Sequence, residues 1–186
     1  MKQDHFATPE FSRIYRLTQI RQQPVEAKIE ADAGECAALA RRFGLVSLDR
    51  LEATLTLTAD GEDVIADGQL LATVEQACVA TGEPLEVVLD EPLALRFSPE
   101  PDGPPNEGEE TEMPDSADAE GRDVVHFEGG AIDIGEAVAE TLLLSLDPYP
   151  RSPDADAYLK AKGVISEEEA GAFGALASLR DKLNKN

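Results

Sequence analysis

Tryptophan is absent from this chain, and aromatic residues fill only 5% of its 186 positions. Any core must therefore be aliphatic, and with hydrophobic residues at 42% there are enough side chains to build one. Cysteine occurs twice, as Cys36 and Cys78. Two thiols cannot form a disulfide scaffold, nor complete by themselves a four-ligand zinc site. Histidine is as scarce: His5 lies close to the start of the chain, and His126 sits in 124-VVHF-127, which reads as a strand. No G-x-S-x-G turn, Gly-rich phosphate loop or H-E-x-x-H is present. The acidic groups Asp154-Ala155-Asp156 and Glu167 to Glu169 lack the glycine and the spacing of an EF-hand. Carboxylates are so many that no catalytic pair stands out from a solvated face. The reading is non-enzymatic, with no catalytic residue, cofactor or metal. Long apolar runs are missing too. The richest, 137-AVAETLLLSL-146, is interrupted by Glu140 and Thr141, far short of the roughly 18 residues of a membrane span. The opening MKQDHFATPEF lacks the apolar stretch of a secretory signal, so a soluble, cytoplasmic protein with no membrane partner is expected.

Basic residues are the remaining shortage, with 16 Lys and Arg against 38 Asp and Glu and a net charge of −22. That balance disfavours broad nucleic-acid binding, which needs cations on phosphates, and favours a basic, multiply charged partner. The charge is unevenly spread. Residues 1–50 sum to +1, 51–98 to −9, 99–123 to −9 and 124–186 to −5. The stretch 99–123, PEPDGPPNEGEETEMPDSADAEGRD, offers Met113 as its one large apolar side chain and is expected to be a disordered acidic loop. Either it is a solvated linker, or it is a polyacidic decoy for a basic protein.

Before that loop the pattern is mainly β. Phe11, Arg13, Tyr15 and Leu17 alternate onto one face, and Val25, Ala27 and Ile29 do the same after Pro24. Leu51, Ala53, Leu55 and Leu57 alternate with Glu52, Thr54, Thr56 and Thr58, as in a half-buried strand. Asp60-Gly61-Glu62-Asp63 reads as a hairpin turn. Asp67-Gly68 is expected to interrupt the return strand, whose Leu70, Ala72, Val74 and Cys78 share a face. Leu85 to Leu89 and Leu93 to Phe97 read as a strand broken near Pro92. An antiparallel meander accounts best for this spacing.

Three helices have start signals. Asp32 with Glu35 forms a capping box for about 33–43, and Gly44 is a fitting stop. Asp133 with Glu136 repeats the device ahead of about 134–146. There Ile134, Val138, Thr141, Leu142 and Ser145 share a face that Leu143, Leu144 and Leu146 widen, so this helix is expected to be well buried, ending at Pro148 and Pro150. Ser166 with Glu169 opens a third, weakened by Gly171 and Gly174. The fold expected is α+β: a mainly antiparallel, strongly twisted or barrel-like sheet with the 134–146 helix buried on it and the shorter helix at 33–43. A single domain would span 1–164, interrupted by the 99–123 loop, with 165–186 as a helical tail.

Three surfaces are candidates for binding. Arg13 lies between Phe11 and Tyr15, with Arg16 beside them; such a patch is either a core face with arginine at its rim or a place to stack RNA bases. Phe173, Leu176, Leu179 and Leu183 make an apolar stripe on the tail, which either packs onto its own domain or docks in a partner's groove. Cys78 heads 78-CVATGEP-84, where a second cysteine at 81 would complete a zinc knuckle, but Thr81 stands there. Without it Cys78 reads as a small buried apolar side chain, and so does Cys36.

In this order the segments resemble the YceD family, the large ribosomal RNA subunit accumulation proteins. The match rests on 76-QACVATGEPL-85, which resembles the family's C-x-x-C-x-x-P element with Cys78 and Pro84 in place and Thr81 where many members have the second cysteine. It continues in 132-IDIGEAVAETLLLSLDPYP-150, where Asp133, Glu140, Leu144 and Pro150 fall on the pattern, and in 173-FGALASLRDKL-183. The resemblance implies a role in ribosome biogenesis, in the accumulation or processing of 23S rRNA, without a known catalytic mechanism. The metal or nucleic-acid binding suggested for members with paired cysteines does not carry over, because Thr81 breaks the pair. The partner expected is then a basic ribosomal protein or another biogenesis factor, with 23S rRNA contact weak or indirect. Direct rRNA binding through Phe11, Arg13, Tyr15 and Arg16 is the alternative.

Overall fold

The computed structural model of the protein describes residues 9–100 and 121–164. The expected tail stripe and third helix, and most of the expected acidic loop, lie outside the described residues. The chain divides into two compact units, one built from residues up to 76 with 86–147, the other from 77–85 with the residues from 148 onward.

The first unit is α+β. Its main sheet has five strands: β2 (Val25–Glu30), β3 (Ser47–Asp60), β4 (Asp63–Ala77), β5 (Pro84–Pro99) and β6 (Asp123–Phe127), neighbours in that order. The sheet is twisted and mostly antiparallel but open, with β2 and β6 at its edges, so the barrel-like alternative does not hold. The expectation of a mainly antiparallel sheet holds, with one exception at an edge. β6 runs parallel to β5, Leu95 opposite Asp123 and Pro99 opposite Phe127, a pairing that hydrophobic alternation cannot distinguish from antiparallel.

Alternation places the core. Leu51, Ala53, Leu55 and Leu57 of β3 are all buried, as are Leu70, Ala72 and Val74 of β4. The β3–β4 hairpin pairs Asp60 with Asp63 around Gly61, whose φ of +65° gives the backbone the left-handed residue such a turn needs. Two expected breaks are absent. Gly68 lies inside an unbroken β4, opposite Leu55, where a Cβ would fall 2.0 Å from the Thr54 carbonyl oxygen. It marks a close backbone approach rather than a turn. Pro92 likewise sits inside a continuous β5 whose inward positions keep their period of two on both sides of it. The β6 ladder begins only at Leu95, so Pro92 lies where that side of β5 carries no described strand, and a missing N–H is tolerated there.

The N-terminal strand is shorter than its alternation suggests. Only β1 (Ile14–Arg16) is extended, paired with β7 (Ala131–Asp133) in a separate two-stranded sheet. Leu17 begins a helical turn, α1 (Leu17–Ile20), which buries Leu17 and Ile20. Helix α2 (Ala33–Phe43) has the expected box: the Asp32 carboxylate accepts from the Gly34 and Glu35 amides, Glu35 bonds back to the Asp32 N–H, and Gly44 closes the helix at φ +68°.

Helix α3 (Ile134–Ser145) is capped by Asp133, which accepts from the Gly135 and Glu136 amides. Glu136 does not complete a box, because its carboxylate is taken by Arg42. The helix buries Ile134, Gly135, Ala137, Val138, Ala139 and Leu142. Its last turn departs from expectation: Leu143 is 44% exposed and Leu144 79%. An unbroken leucine run cannot all face one side of a helix with 3.6 residues per turn.

In the second unit the 78–83 turn between β4 and β5 is followed in sequence, after the first unit's residues, by α4 (Ala155–Ala161). The Asp154-Ala155-Asp156 cluster marks the start of that helix.

Candidate functional site

Three constellations carry chemistry. The first is the N-terminal arginine cluster, and it is turned inward. Arg13 donates from Nη1 and Nη2 to the two Glu35 oxygens at 2.7 and 2.8 Å, and also to the carbonyls of Ser12 and Glu30. Its guanidinium lies 4.5 Å from the centroid of the Phe11 ring, and Phe11 is fully buried. That leaves no ring face of Phe11 and little of the Arg13 fork for a base. Arg16 is exposed and Tyr15 half-buried, so the four residues named in the sequence do not converge on one open surface. A second clasp joins Arg42 to Glu136 at 2.6 and 3.0 Å and to Glu10 at 3.1 Å. Arg42 thereby ties the last turn of α2 to the first turn of α3.

The second is the thiol of the second unit. Cys78 Sγ accepts from the Ser152 N–H at 3.3 Å and lies 3.7 Å from the Ser152 hydroxyl. The turn closes through Cys78 N–H to the Glu83 carbonyl and Gly82 N–H to the Cys78 carbonyl, both 2.8 Å, with Gly82 at φ +76°. The Val79 N–H bonds to the Pro150 carbonyl, tying two of the family-pattern segments. Donors converging on one sulfur favour its anion. The Thr81 hydroxyl is the strongest, then the Ser152 amide and the Thr81 and Ala80 amides; together they outweigh burial and bring the thiol down to about 6. Burial and the carboxylates around it push the Cys36 thiol upward instead. Among the described residues no cluster of His, Cys, Asp or Glu could hold a metal ion.

The third is a groove in the first unit that sequence reading missed. It has a volume of about 530 Å³ and opens between β6 and α3, with Ile14 and Ala131 on its far side. Three carboxylates border it. Asp133 is spent on the Ser12 hydroxyl at 2.6 Å, the Arg13 N–H at 2.8 Å and the helix cap. Glu136 is spent on Arg42. Glu140 has no ion pair among the described residues, and its carboxyl is held above the usual range by burial and by Glu136. The one sequence signal was Ile14, an apolar residue on the opposite face from Phe11, Arg13, Tyr15 and Leu17, and it is 61% exposed.

The remaining residues of the family pattern scatter. Pro84 opens β5 on the surface, Leu144 projects from α3, and Pro150 supplies the carbonyl that holds Val79. Among the described residues no helix is long and apolar enough to cross a membrane.

No curated protein and no solved structure matches this chain. A family model does, over residues 66–180. The matched stretch takes in most of β4, the Cys78 turn, the whole of β5, β6 and α3, and the acidic groove edge at Glu140. The chain belongs to the YceD family, described as large ribosomal RNA subunit accumulation proteins.

Proposed function

We propose that the chain supports 23S rRNA accumulation and large-subunit assembly without catalysis, by holding a basic ribosomal protein or biogenesis factor on acidic surfaces in the cytoplasm. The observation that supports this reading is how the positive charge is used. Arg13, Arg42, Arg50, Arg96, Arg122 and Arg151 are each ion-paired within the chain. Each pair cancels itself, leaving 10 Lys and Arg against 32 Asp and Glu, so the balance of what remains is still −22. Such a surface speeds the encounter with a cationic partner and repels bare phosphate.

The test uses purified full-length protein with large-subunit ribosomal proteins at low and high salt, beside gel shifts with 23S rRNA fragments. Retention of one or a few basic proteins at low salt, lost at high salt, is the expected result. Retention of none at low salt overturns the reading. So does a gel shift abolished by Arg16→Ala, which would move the function to direct rRNA contact.

A further inference from the structure

Four consecutive residues of β6, Val124, Val125, His126 and Phe127, line the groove. Successive side chains of a strand point to opposite faces, so a surface touched by all four runs along the strand's edge and not over one of its faces. Among the described residues β6 is the terminal strand of its sheet, paired on one side with β5 alone. Across the groove stand Ile14, Ala131 and Asp133, which belong to the separate β1–β7 sheet. The gap between these two edges is a slot bordered on one side by the edge of β6 turned away from β5 and on the other by Ile14, Ala131 and the Asp133 carboxylate.

We propose that this slot receives an extended segment of a basic protein, which adds a strand to β6, sets apolar side chains against Ile14, Phe97 and Ala137, and places a lysine or arginine on Glu140. The inference rests on the proposed binding of a basic partner and gives that binding a location and a mode. Main-chain pairing at an open edge supplies affinity irrespective of sequence, and alternate side chains supply specificity. The charge selects the occupant. Asp133, Glu136, Glu140 and His126 are the titratable groups on the slot, three carboxylates against one imidazole. The chain's own 99–123 stretch, at −9, has the same sign of charge as the slot and does not complement it. Of the three carboxylates Glu140 alone makes no ion pair or side-chain hydrogen bond among the described residues, Arg42 acting on it only at a distance, so an incoming ammonium or guanidinium displaces nothing.

The probe is an acetylated peptide of alternating valine and lysine, titrated into ¹⁵N-labelled full-length protein. Controls are the valine–glutamate peptide and a valine–lysine peptide N-methylated at every residue, which cannot donate to a ladder from either edge. Amide shifts are expected along 123–127 and at Ile14, Ala137 and Glu140, and both control peptides should leave them unmoved. Glu140→Lys should weaken binding about tenfold, while Glu86→Lys, an equal change of net charge on another strand, changes it less than about twofold. Equal binding of the N-methylated peptide overturns strand addition. Shifts confined to another surface remove the slot but leave the basic-partner reading standing, whereas no binding of the peptide or of any basic ribosomal protein sinks both. If Leu179→Asp alone moves the slot amides, the chain's own tail is the occupant and the proposal fails.

Discussion

Arg13 and Glu35, 22 residues apart, meet fork to fork, Nη1 donating to one carboxylate oxygen at 2.7 Å and Nη2 to the other at 2.8 Å. Glu35 at the same time holds the Asp32 N–H at the start of α2. One carboxylate thus fixes a helix start and the approach to β1. The pair is partly exposed, its side chains 31% and 20% accessible, so solvent screens it. Glu35→Gln is expected to cost about 1 kcal/mol and Arg13→Ala somewhat more, since the latter also uncovers Phe11. The acid side of the stability curve reports the same contact. Arg13 first, then the Asp32 amide, hold the Glu35 carboxyl below its ordinary 4.5. Its contribution is complete above pH 4.5 and is lost as pH falls through the lower folded value. Urea midpoints measured downward from pH 6 should fall less steeply in Glu35→Gln than in the parent; identical slopes would show the clasp to be inert.

At Gly68 the requirement is steric. A Cβ there would sit 2.0 Å from the Thr54 oxygen and 2.7 Å from the Leu55 Cα. Both are backbone atoms in the middle of the β3–β4 ladder and cannot swing aside. Gly68→Ala is expected to destabilise the protein by about 2–3 kcal/mol, toward the upper end of what overpacking costs, with no loss of any side-chain contact. Chemical denaturation of Gly68→Ala beside Gly61→Ala separates this from a turn effect. A smaller loss in Gly68→Ala than in Gly61→Ala would refute the close approach.

These two glycines show what could be read from the chain and what could not. Gly61 follows a strand and precedes another, so local turn chemistry located it. Gly68 was read as a break because a glycine beside aspartate looks the same whether it turns the chain or lets another strand come near. Alternation over Leu51 to Leu57 and the capping box at Asp32 are local signals and translated directly into β3 and α2. Parallel pairing of β6 with β5, the edge it leaves open, and the nearness of Ile14 to Glu140 are relations between residues far apart in sequence. No periodicity encodes them. Arg13 beside Phe11 and Tyr15 suggested stacking on bases, but whether an arginine is free depends on a partner 22 positions away.

The end of α3 tests how the leucine run divides. Leu142 is fully buried, whereas Leu144, two residues on, is 79% exposed. Leu142→Ala should cost about 2–5 kcal/mol, as for a large buried aliphatic side chain. Leu144→Ala should stay within about 0.5 kcal/mol. Comparable losses in thermal melts of the two variants would mean that Leu144 is covered in solution.

The thiol of Cys78 offers the most direct check on side-chain geometry. With the Thr81 hydroxyl and the Ser152 amide aimed at the sulfur, it ionises at about 6 rather than the ordinary 9.0. A depressed folded value means that the native state binds the thiolate better than the unfolded chain does. Stability should therefore rise as pH climbs from about 6 toward 9.0 and be lost as pH falls back through 6. In a Cys36→Ser background the ultraviolet absorbance of the thiolate follows Cys78 alone. Its midpoint is expected near 6 and should move up in Thr81→Val, which keeps the shape but removes the donor. Alkylation should still be slow, because Cys78 is only 2% exposed and reaction needs access as well as charge. A midpoint close to 9.0 in both proteins would show that the hydroxyl does not point at the sulfur.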